Sequence, residues 1–478
     1  MQLSIFGHMN QIKSGDVLEG IEITDALSDG KGVARYNDFV IFVEGGVPGD
    51  IADVQVYRTK KKFVEARLIN LVNPSKVRVD PVCAHFGTCG GCKWQHMSYS
   101  GQLYHKQKQA EEVLQRVSKV ALPPMSSILG SAKTEFYRNR LDFTFSNKRW
   151  LTSEEKNSDV SPDEQVIGFH VPQRFDKILD IKKCFLQDDL SNRIRNEIKA
   201  YSINHQLSFN DVVLQEGYLR NLIIRSTSTG EWMVIVVFRT DESDSREKLL
   251  NYIAQQFPEV ISLLYIINPK RNDTVYDLAV HVFKGSDHIT EVMQGLKFKI
   301  SAKSFYQTNS YQAYELYKVV HSYAALTGNE LVYDLYTGTG TIACFIANHS
   351  KHVVGIDHIP DAIEDAKGNA VSNGIENVSF FAGDIKDTLT DQFIAQHGVP
   401  DVIITDPPRA GMHGSVVKKI FEIGPQRIVY VSCNPATQAR DIQLLDQKYS
   451  VEKLQPVDMF PHTSHVENVA LLVRRILD

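Results

Sequence analysis

From about Lys299 to the C-terminus, short β-branched runs alternate with helical spans. Leu331 to Leu335, His352 to Ile356, Val378 to Ala382, Val402 to Thr405 and Arg427 to Ser432 read as strands. Few folds satisfy that alternation, because each crossover must lay a helix on a parallel sheet. It predicts a doubly wound, Rossmann-like α/β domain over residues 296–478. Sheets of this kind bind ligands outside the carboxyl ends of their strands, so the residues at those ends carry the chemistry.

At the first of these ends, Asp334-Leu335-Tyr336-Thr337-Gly338-Thr339-Gly340 joins a strand to a helix start through a tight glycine turn. Such a turn lets a ligand approach the backbone closely. Asp357 closes the next strand, at the spacing where an acid grips ribose hydroxyls. Gly338, Gly340 and Ala343 also fit a dinucleotide fingerprint, so this motif alone leaves NAD open. Asp384, after the third strand, is placed to reach an adenine ring, and Asp406-Pro407-Pro408-Arg409 ends the fourth. Two rigid prolines hold a polar group against a reacting centre with little entropy to lose. Together these four strand ends resemble class I S-adenosylmethionine-dependent methyltransferases.

The fifth strand ends in Ser432-Cys433-Asn434-Pro435, which leaves a thiol where nucleophiles are placed. An exocyclic amine needs no such help to accept a methyl group. Carbon 5 of a pyrimidine does, because it becomes nucleophilic only after attack at carbon 6 generates an enolate. That route also needs a base for the carbon-5 proton. Pro461-His462-Thr463-Ser464-His465-Val466-Glu467-Asn468, a polar segment ahead of a final strand from Val469 to Arg474, offers Glu467, His462 and His465.

Phe305-Tyr306-Gln307-Thr308-Asn309, the glycine turn, Asp406-Pro407-Pro408-Arg409-Ala410-Gly411, Ser432-Cys433-Asn434-Pro435 and the segment from Pro461 to Glu467 resemble the RNA 5-methyluridine methyltransferase family. The resemblance implies Cys433 as nucleophile and Glu467 as base, with Asp406 beside the target uracil or the cofactor. It implies Gln307, Tyr336, Thr341, Asp357 and Asp384 as lining for S-adenosylmethionine. Thr341 stands where some relatives carry Asn.

A second cysteine set, Cys83, Cys89 and Cys92, has C-x5-C-x2-C spacing. In an intracellular chain this points to metal or cluster ligation rather than disulfides. The resemblance adds Cys184 as fourth ligand, after Asp180-Ile181-Lys182-Lys183. Four thiolates suit zinc or a four-iron four-sulfur (4Fe-4S) cluster, which the spacing does not separate. Likeness to ribosomal-RNA members of the family implies the cluster, in a structural or RNA-positioning role.

Upstream, Val17 to Ile23, Gly32 to Tyr36, Phe39 to Val43, Ile51 to Tyr57 and Lys62 to Val72 read as short strands separated by glycine turns. They predict a small OB-like barrel over residues 10–73, which resembles a TRAM domain, an RNA-binding appendage. Between the barrel and the methyltransferase domain, residues 81–295 predict a mixed α+β module. Its strands include Arg140 to Phe145, Leu222 to Ser226, Trp232 to Phe238 and Leu263 to Asn268, and Ser153 to Glu164 reads as an acidic loop. A net charge of -5 argues against a generally basic nucleic-acid binder, yet Arg58, Lys60, Lys61, Lys62 and Arg67 cluster locally. A solvated strand edge accounts for that cluster equally well.

No segment reaches the roughly 18 continuous apolar residues of a membrane helix. Met1 to Ile12 lacks the pattern of a secretion signal, so a cytoplasmic protein, monomeric and away from membranes, is expected. The TRAM-like barrel and the cysteine set imply 23S ribosomal RNA as substrate, with transfer RNA the alternative. An amine methyltransferase fits less well, because Arg409 stands where adenine amino methyltransferases stack an aromatic residue on the base. A non-catalytic RNA-binding or ribosome-assembly factor would have no use for Cys433 and Glu467.

Overall fold

The computed structural model describes residues 12–37, 39–152 and 154–476. The sequence expectations for Met1 to Gln11 and for Ser153 lie outside the described residues. The chain divides into two compact units. Of the described residues, one comprises those within 12–87, 91–105 and 461–464, and the other those within 88–90, 106–460 and 465–476.

The first unit is built on a closed five-stranded barrel of Val17–Ala26, Gly32–Tyr36, Phe39–Glu44, Ile51–Thr59 and Phe63–Asn73. Alternate residues point inward, so Ile23, Ala34, Ile41, Val43, Val54, Val56, Val64 and Ala66 fill the interior. Lys60, Lys61 and Lys62 form an exposed turn between the last two strands. Buried Trp94 belongs to this unit, where its indole N–H donates to the Leu27 carbonyl at 3.3 Å.

The second unit holds two seven-stranded sheets. The first runs His281–Gly285, Val260–Ile267, Trp232–Phe238, Leu219–Ser226, Arg140–Ser146, Val166–Val171, Arg174–Asp180. All its neighbours are antiparallel except Trp232–Phe238 beside Val260–Ile267. This is the expected α+β module, with helices Asp189–Asn204 and Ser243–Gln256.

The second sheet runs Val378–Ala382, His352–Asp357, Leu331–Leu335, Val402–Thr405, Arg427–Ser432, Glu467–Arg474, Tyr449–Val457. The first five strands are parallel and the last two antiparallel. Its central strands are apolar on both faces because both are covered. Val353, Val402, Ile404, Val429 and Val431 pack into one core, and Tyr333, Ile356, Ile403, Ile428 and Tyr430 into another. Polar strand Tyr449–Val457, which sequence periodicity does not reveal, completes the edge.

Candidate active site

Strand Arg427–Ser432 runs antiparallel to Glu467–Arg474, with Ser432 opposite Asn468. The chain therefore leaves one strand at Cys433 and enters the other at Glu467, at the same end of the sheet. Sequence pattern alone puts Glu467 in a polar loop; it is the first residue of the last strand. The parallel strand Val402–Thr405 lies on the other side of Arg427–Ser432, and Asp406 follows it directly.

Three ionisable groups thus share one crowded place. Burial, with Asp406 adding to it, pushes the Glu467 carboxyl up to about 8. Asp406 keeps part of its surface open, but its carboxyl lies deep among protein atoms and burial pushes it up to about 7. Burial first, then Glu467 and Asp406, pushes the Cys433 thiol up to about 11. A pair of close carboxyls resists ionising together, so one of the two holds a proton near neutrality.

Arg409 opposes these shifts on both Cys433 and Glu467. Its guanidinium lies 3.3 Å from His465 Nε2 and 3.4 Å from Nδ1. Burial, then Arg409, lowers the His465 imidazole to about 4, so it is neutral at physiological pH and lies against a donor. The Arg409 carbonyl accepts from Asn434 Nδ2 at 3.0 Å and Thr437 Oγ1 at 3.4 Å, tying the Asp-Pro-Pro-Arg turn to the segment after Cys433. Asn434 also caps helix Pro435–Leu445 by accepting from the Ala436 N–H, with Pro435 at the first helical position.

Buried polar side chains lock this geometry. Buried Gln438 donates from Nε2 to the carbonyls of Tyr430 at 2.9 Å and Asn468 at 3.1 Å, while Asn468 Nδ2 donates to Gln438 Oε1 at 2.7 Å. Asp441 accepts from the Tyr430 hydroxyl at 2.7 Å and the Met412 N–H at 3.0 Å. Ahead of Glu467, fully buried Lys106 donates to Asp458 at 2.6 Å and to the Phe460 carbonyl at 3.0 Å. Asn309 Nδ2 donates to the Met459 carbonyl at 3.0 Å. His462 falls within the barrel unit, where its carbonyl accepts from the Lys93 and Trp94 N–H groups and its ring pairs with the Gln102 amide at 3.2 Å.

The ends of the first three strands form a turn open to a ligand. Tyr336 has φ of 64°, a left-handed conformation rare for an aromatic residue. Gly338 has φ of 56° and open space where a side chain would stand. At Gly340 a side chain would meet Ala366 Cβ at 2.9 Å, so only glycine fits. Asp357 accepts from the N–H groups of Gly338 and Ile359 at 2.9 Å each, and Thr337 Oγ1 donates to buried Asp334 at 2.6 Å. The Asp384 side chain caps the turn that follows it and pairs with Lys386. Thr341 Oγ1 lies 3.1 Å from the buried Tyr317 hydroxyl. Asn139 Nδ2 donates to the Gln307 carbonyl at 2.9 Å and fixes that segment. A half-buried backbone turn flanked by acids suits an adenosyl ligand carrying ribose hydroxyls.

None of the six cysteines is in a disulfide. Gln95 links Cys83 and Cys92, accepting from the Cys83 N–H at 3.2 Å and donating to Cys92 Sγ at 3.4 Å. Cys89 and Cys184 pack against the apolar cluster of Val171, Leu179 and Ile181. Among the described residues no group of three or more His, Cys, Asp or Glu side chains is placed to hold a metal ion. The expected four-cysteine set is divided, with Cys83 and Cys92 in the first unit and Cys89 and Cys184 in the second.

The sheet order and the glycine turn define the C-terminal region as an S-adenosylmethionine-dependent methyltransferase fold. Residues 226–475 match the tRNA (uracil-5-)-methyltransferase family, and residues 15–69 match the TRAM domain. Proteins named uncharacterized RNA methyltransferases are 60% identical in Bacteroides thetaiotaomicron, over 94% of this chain and 100% of that one, and 54% identical in Porphyromonas gingivalis, over 95% and 99%. Among solved structures, the Pyrococcus abyssi tRNA (uracil-54, C5)-methyltransferase in complex with S-adenosyl-L-homocysteine is similar with a TM-score of 0.72 and 29% identity, over 95% of this chain and 100% of that one. The chain belongs to the tRNA (uracil-5-)-methyltransferase family, and it is an S-adenosylmethionine-dependent RNA methyltransferase with an N-terminal TRAM domain. Among the described residues no helix is long and apolar enough to cross a membrane.

Proposed function

We propose that the protein methylates carbon 5 of a uridine in 23S ribosomal RNA through a covalent adduct between Cys433 and carbon 6. The observation that carries this reading is the juxtaposition of Cys433 and Glu467 across two paired strands, with Asp406 alongside. The target uridine leaves its stack to reach a pocket of this kind. Cys433 gives up its proton to water and the thiolate sulfur bonds to carbon 6, which turns carbon 5 into an enolate carbon. S-adenosylmethionine would be held by Gln307, Tyr336, Thr341, Asp357, Asp384 and Asp406, and would supply the methyl group for the new bond at carbon 5 and leave as S-adenosyl-L-homocysteine. Glu467 then removes the carbon-5 proton, the double bond re-forms, and the sulfur leaves as a thiolate that takes a proton back from water.

The raised thiol fits a resting enzyme whose nucleophile is protected until RNA is bound, since burial disfavours the thiolate. Arg409 is the positive group that favours the thiolate. Cys83, Cys89, Cys92 and Cys184 would hold a 4Fe-4S cluster in a structural or RNA-positioning role. The linkage of Cys83 with Cys92, and the shared apolar surface under Cys89 and Cys184, support that donor set. We read the chain as three modules, 10–73, 81–295 and 296–478, working as a cytoplasmic monomer.

Transfer RNA is the second reading, favoured by the similarity to the Pyrococcus abyssi tRNA (uracil-54, C5)-methyltransferase. Mapping 5-methyluridine in ribosomal and transfer RNA from cells with and without the gene separates the two. Loss of a 23S site is expected; loss confined to transfer RNA moves the substrate, and no loss in either overturns the reading.

A further inference from the structure

We propose that a run of cations and paired aromatic rings, beginning beside the catalytic pocket, binds the single-stranded RNA that adjoins the target uridine. This rests on the RNA-methylating reading and names a surface which that reading does not require. The run begins at the rim, where Arg409 lies against His465. His465 stands edge-on to Phe460 with ring centroids 6.4 Å apart, and the Arg138 guanidinium lies 5.8 Å from the Phe460 centroid. Two residues before Arg138, the Phe136 ring lies 6.0 Å from that of Phe185, and the Lys183 ammonium lies 5.1 Å over Phe185.

The far end of the run is built rigidly. The N–H groups of Phe136 and Arg138 donate to the carbonyls of Phe185 and Leu186, each at 2.7 Å. From the other side, helix Asp189–Asn204 supplies the remaining partners. Asn192 accepts from the Cys184 N–H at 2.8 Å and donates to its carbonyl at 3.0 Å. Fully buried Arg195 donates to the Lys182 carbonyl at 2.8 Å, and Asn196 does so at 3.2 Å. The Cys184 N–H and the carbonyls of Lys182, Cys184, Phe185 and Leu186 are thereby held, while the side chains of Lys182 and Lys183 are exposed.

Phe136 is the residue that core packing does not explain. It is held at φ of 52°, a conformation a bulky residue rarely adopts, with 38% of its surface exposed. A ring left partly in solvent at a backbone cost points to a ligand with a flat apolar face. Nucleobases supply such faces, and phosphates between them match Lys182, Lys183 and Arg138; Asp189, 3.3 Å from Lys183, is the acidic partner of that lysine in the free protein. Extruding one uridine also leaves its neighbours without their stacking partner, which ring platforms next to the pocket can replace.

The test uses the full-length protein with the double variant Phe136→Ala/Lys183→Ala, neither residue belonging to the catalytic machinery. The probe is a single-stranded RNA oligomer of about 12 nucleotides with a central uridine, within the range of single-strand site sizes. Affinity for the oligomer is expected to fall about tenfold or more, the scale of one lost stacked base. The slope of log affinity against log salt is expected to fall by about 0.7, the contribution of one phosphate contact on a single strand. S-adenosylmethionine affinity and thermal midpoint should stay at wild-type values, and Phe136→Tyr/Lys183→Arg should restore RNA binding. Wild-type affinity and slope in the double variant, with RNA binding by the parent intact, overturn the proposal and leave this face to a protein partner. A parent enzyme that neither binds nor methylates RNA overturns the functional reading as well.

Discussion

Asn468 and Gln438 exchange hydrogen bonds in the interior, the Asn468 amide donating to Gln438 Oε1 at 2.7 Å and Gln438 Nε2 returning to the Asn468 carbonyl at 3.1 Å. Because Gln438 also bonds the Tyr430 carbonyl, one side chain fixes the strand that ends at Cys433 against the strand that begins at Glu467. Removing it leaves buried polar groups without partners, at a cost of about 1–3 kcal/mol. Gln438→Ala should lower the unfolding free energy by that amount in denaturant titration. It should also lower kcat more than it raises the S-adenosylmethionine KM, since it displaces the reacting pair and not the cofactor turn.

The carboxyls of Glu467 and Asp406 predict how stability depends on pH. Both are raised above the ordinary values of 4.5 and 3.8, to about 8 and about 7, so the folded state binds more protons than the unfolded chain between those limits. The contribution of this pair to stability is therefore most favourable below the unfolded values and is lost as pH rises through 7 to 8. Glu467→Gln removes the penalty, so its thermal midpoint should exceed that of the parent at pH 8 and converge with it at pH 4. A gain confined to low pH would contradict this assignment.

Much of the site is legible in the sequence because strand ends are marked locally. Val402 to Thr405 and Arg427 to Ser432 are β-branched runs closed by proline turns, which places Asp406 and Cys433 without further information. Glu467 is harder. Its strand begins two residues before its apolar run, because pairing with Val457 extends it, and that pairing belongs to a strand containing Glu452, Lys453 and Pro456 that lacks alternation. The Gln438–Asn468 exchange and the buried Lys106–Asp458 pair join residues distant in sequence, where no local pattern marks them. His462 is chemically able to act as a base, but its ring pairs with Gln102 and its carbonyl with the N–H groups of Lys93 and Trp94, in the barrel unit.

The exposed turn Lys60 to Lys62 gives the TRAM domain a testable electrostatic role. If these lysines meet phosphates, reversing all three charges should weaken RNA binding and flatten its salt dependence, while S-adenosylmethionine affinity stays unchanged. Titrations at several salt concentrations check this, and an unchanged slope would assign the lysines to solubility alone.

The cysteine set makes a compositional prediction. Protein purified without oxygen should carry iron and acid-labile sulfide with broad visible absorbance, as Cys-ligated clusters do. Cys89→Ala should lose both and lower the thermal midpoint, because cluster binding is coupled to folding. Stoichiometric zinc without iron or sulfide would contradict the cluster.

The central claim is that Cys433 acts before methyl transfer and Glu467 after it. The most direct measurement is denaturing electrophoresis of Glu467→Gln incubated with substrate RNA and methyl-labelled S-adenosylmethionine. Addition and methyl transfer proceed without the base but elimination does not, so a labelled protein-RNA adduct should accumulate. Cys433→Ala should give neither adduct nor methylated RNA. Full turnover by Glu467→Gln would transfer the base role to another group, and methylation by Cys433→Ala would contradict covalent catalysis itself.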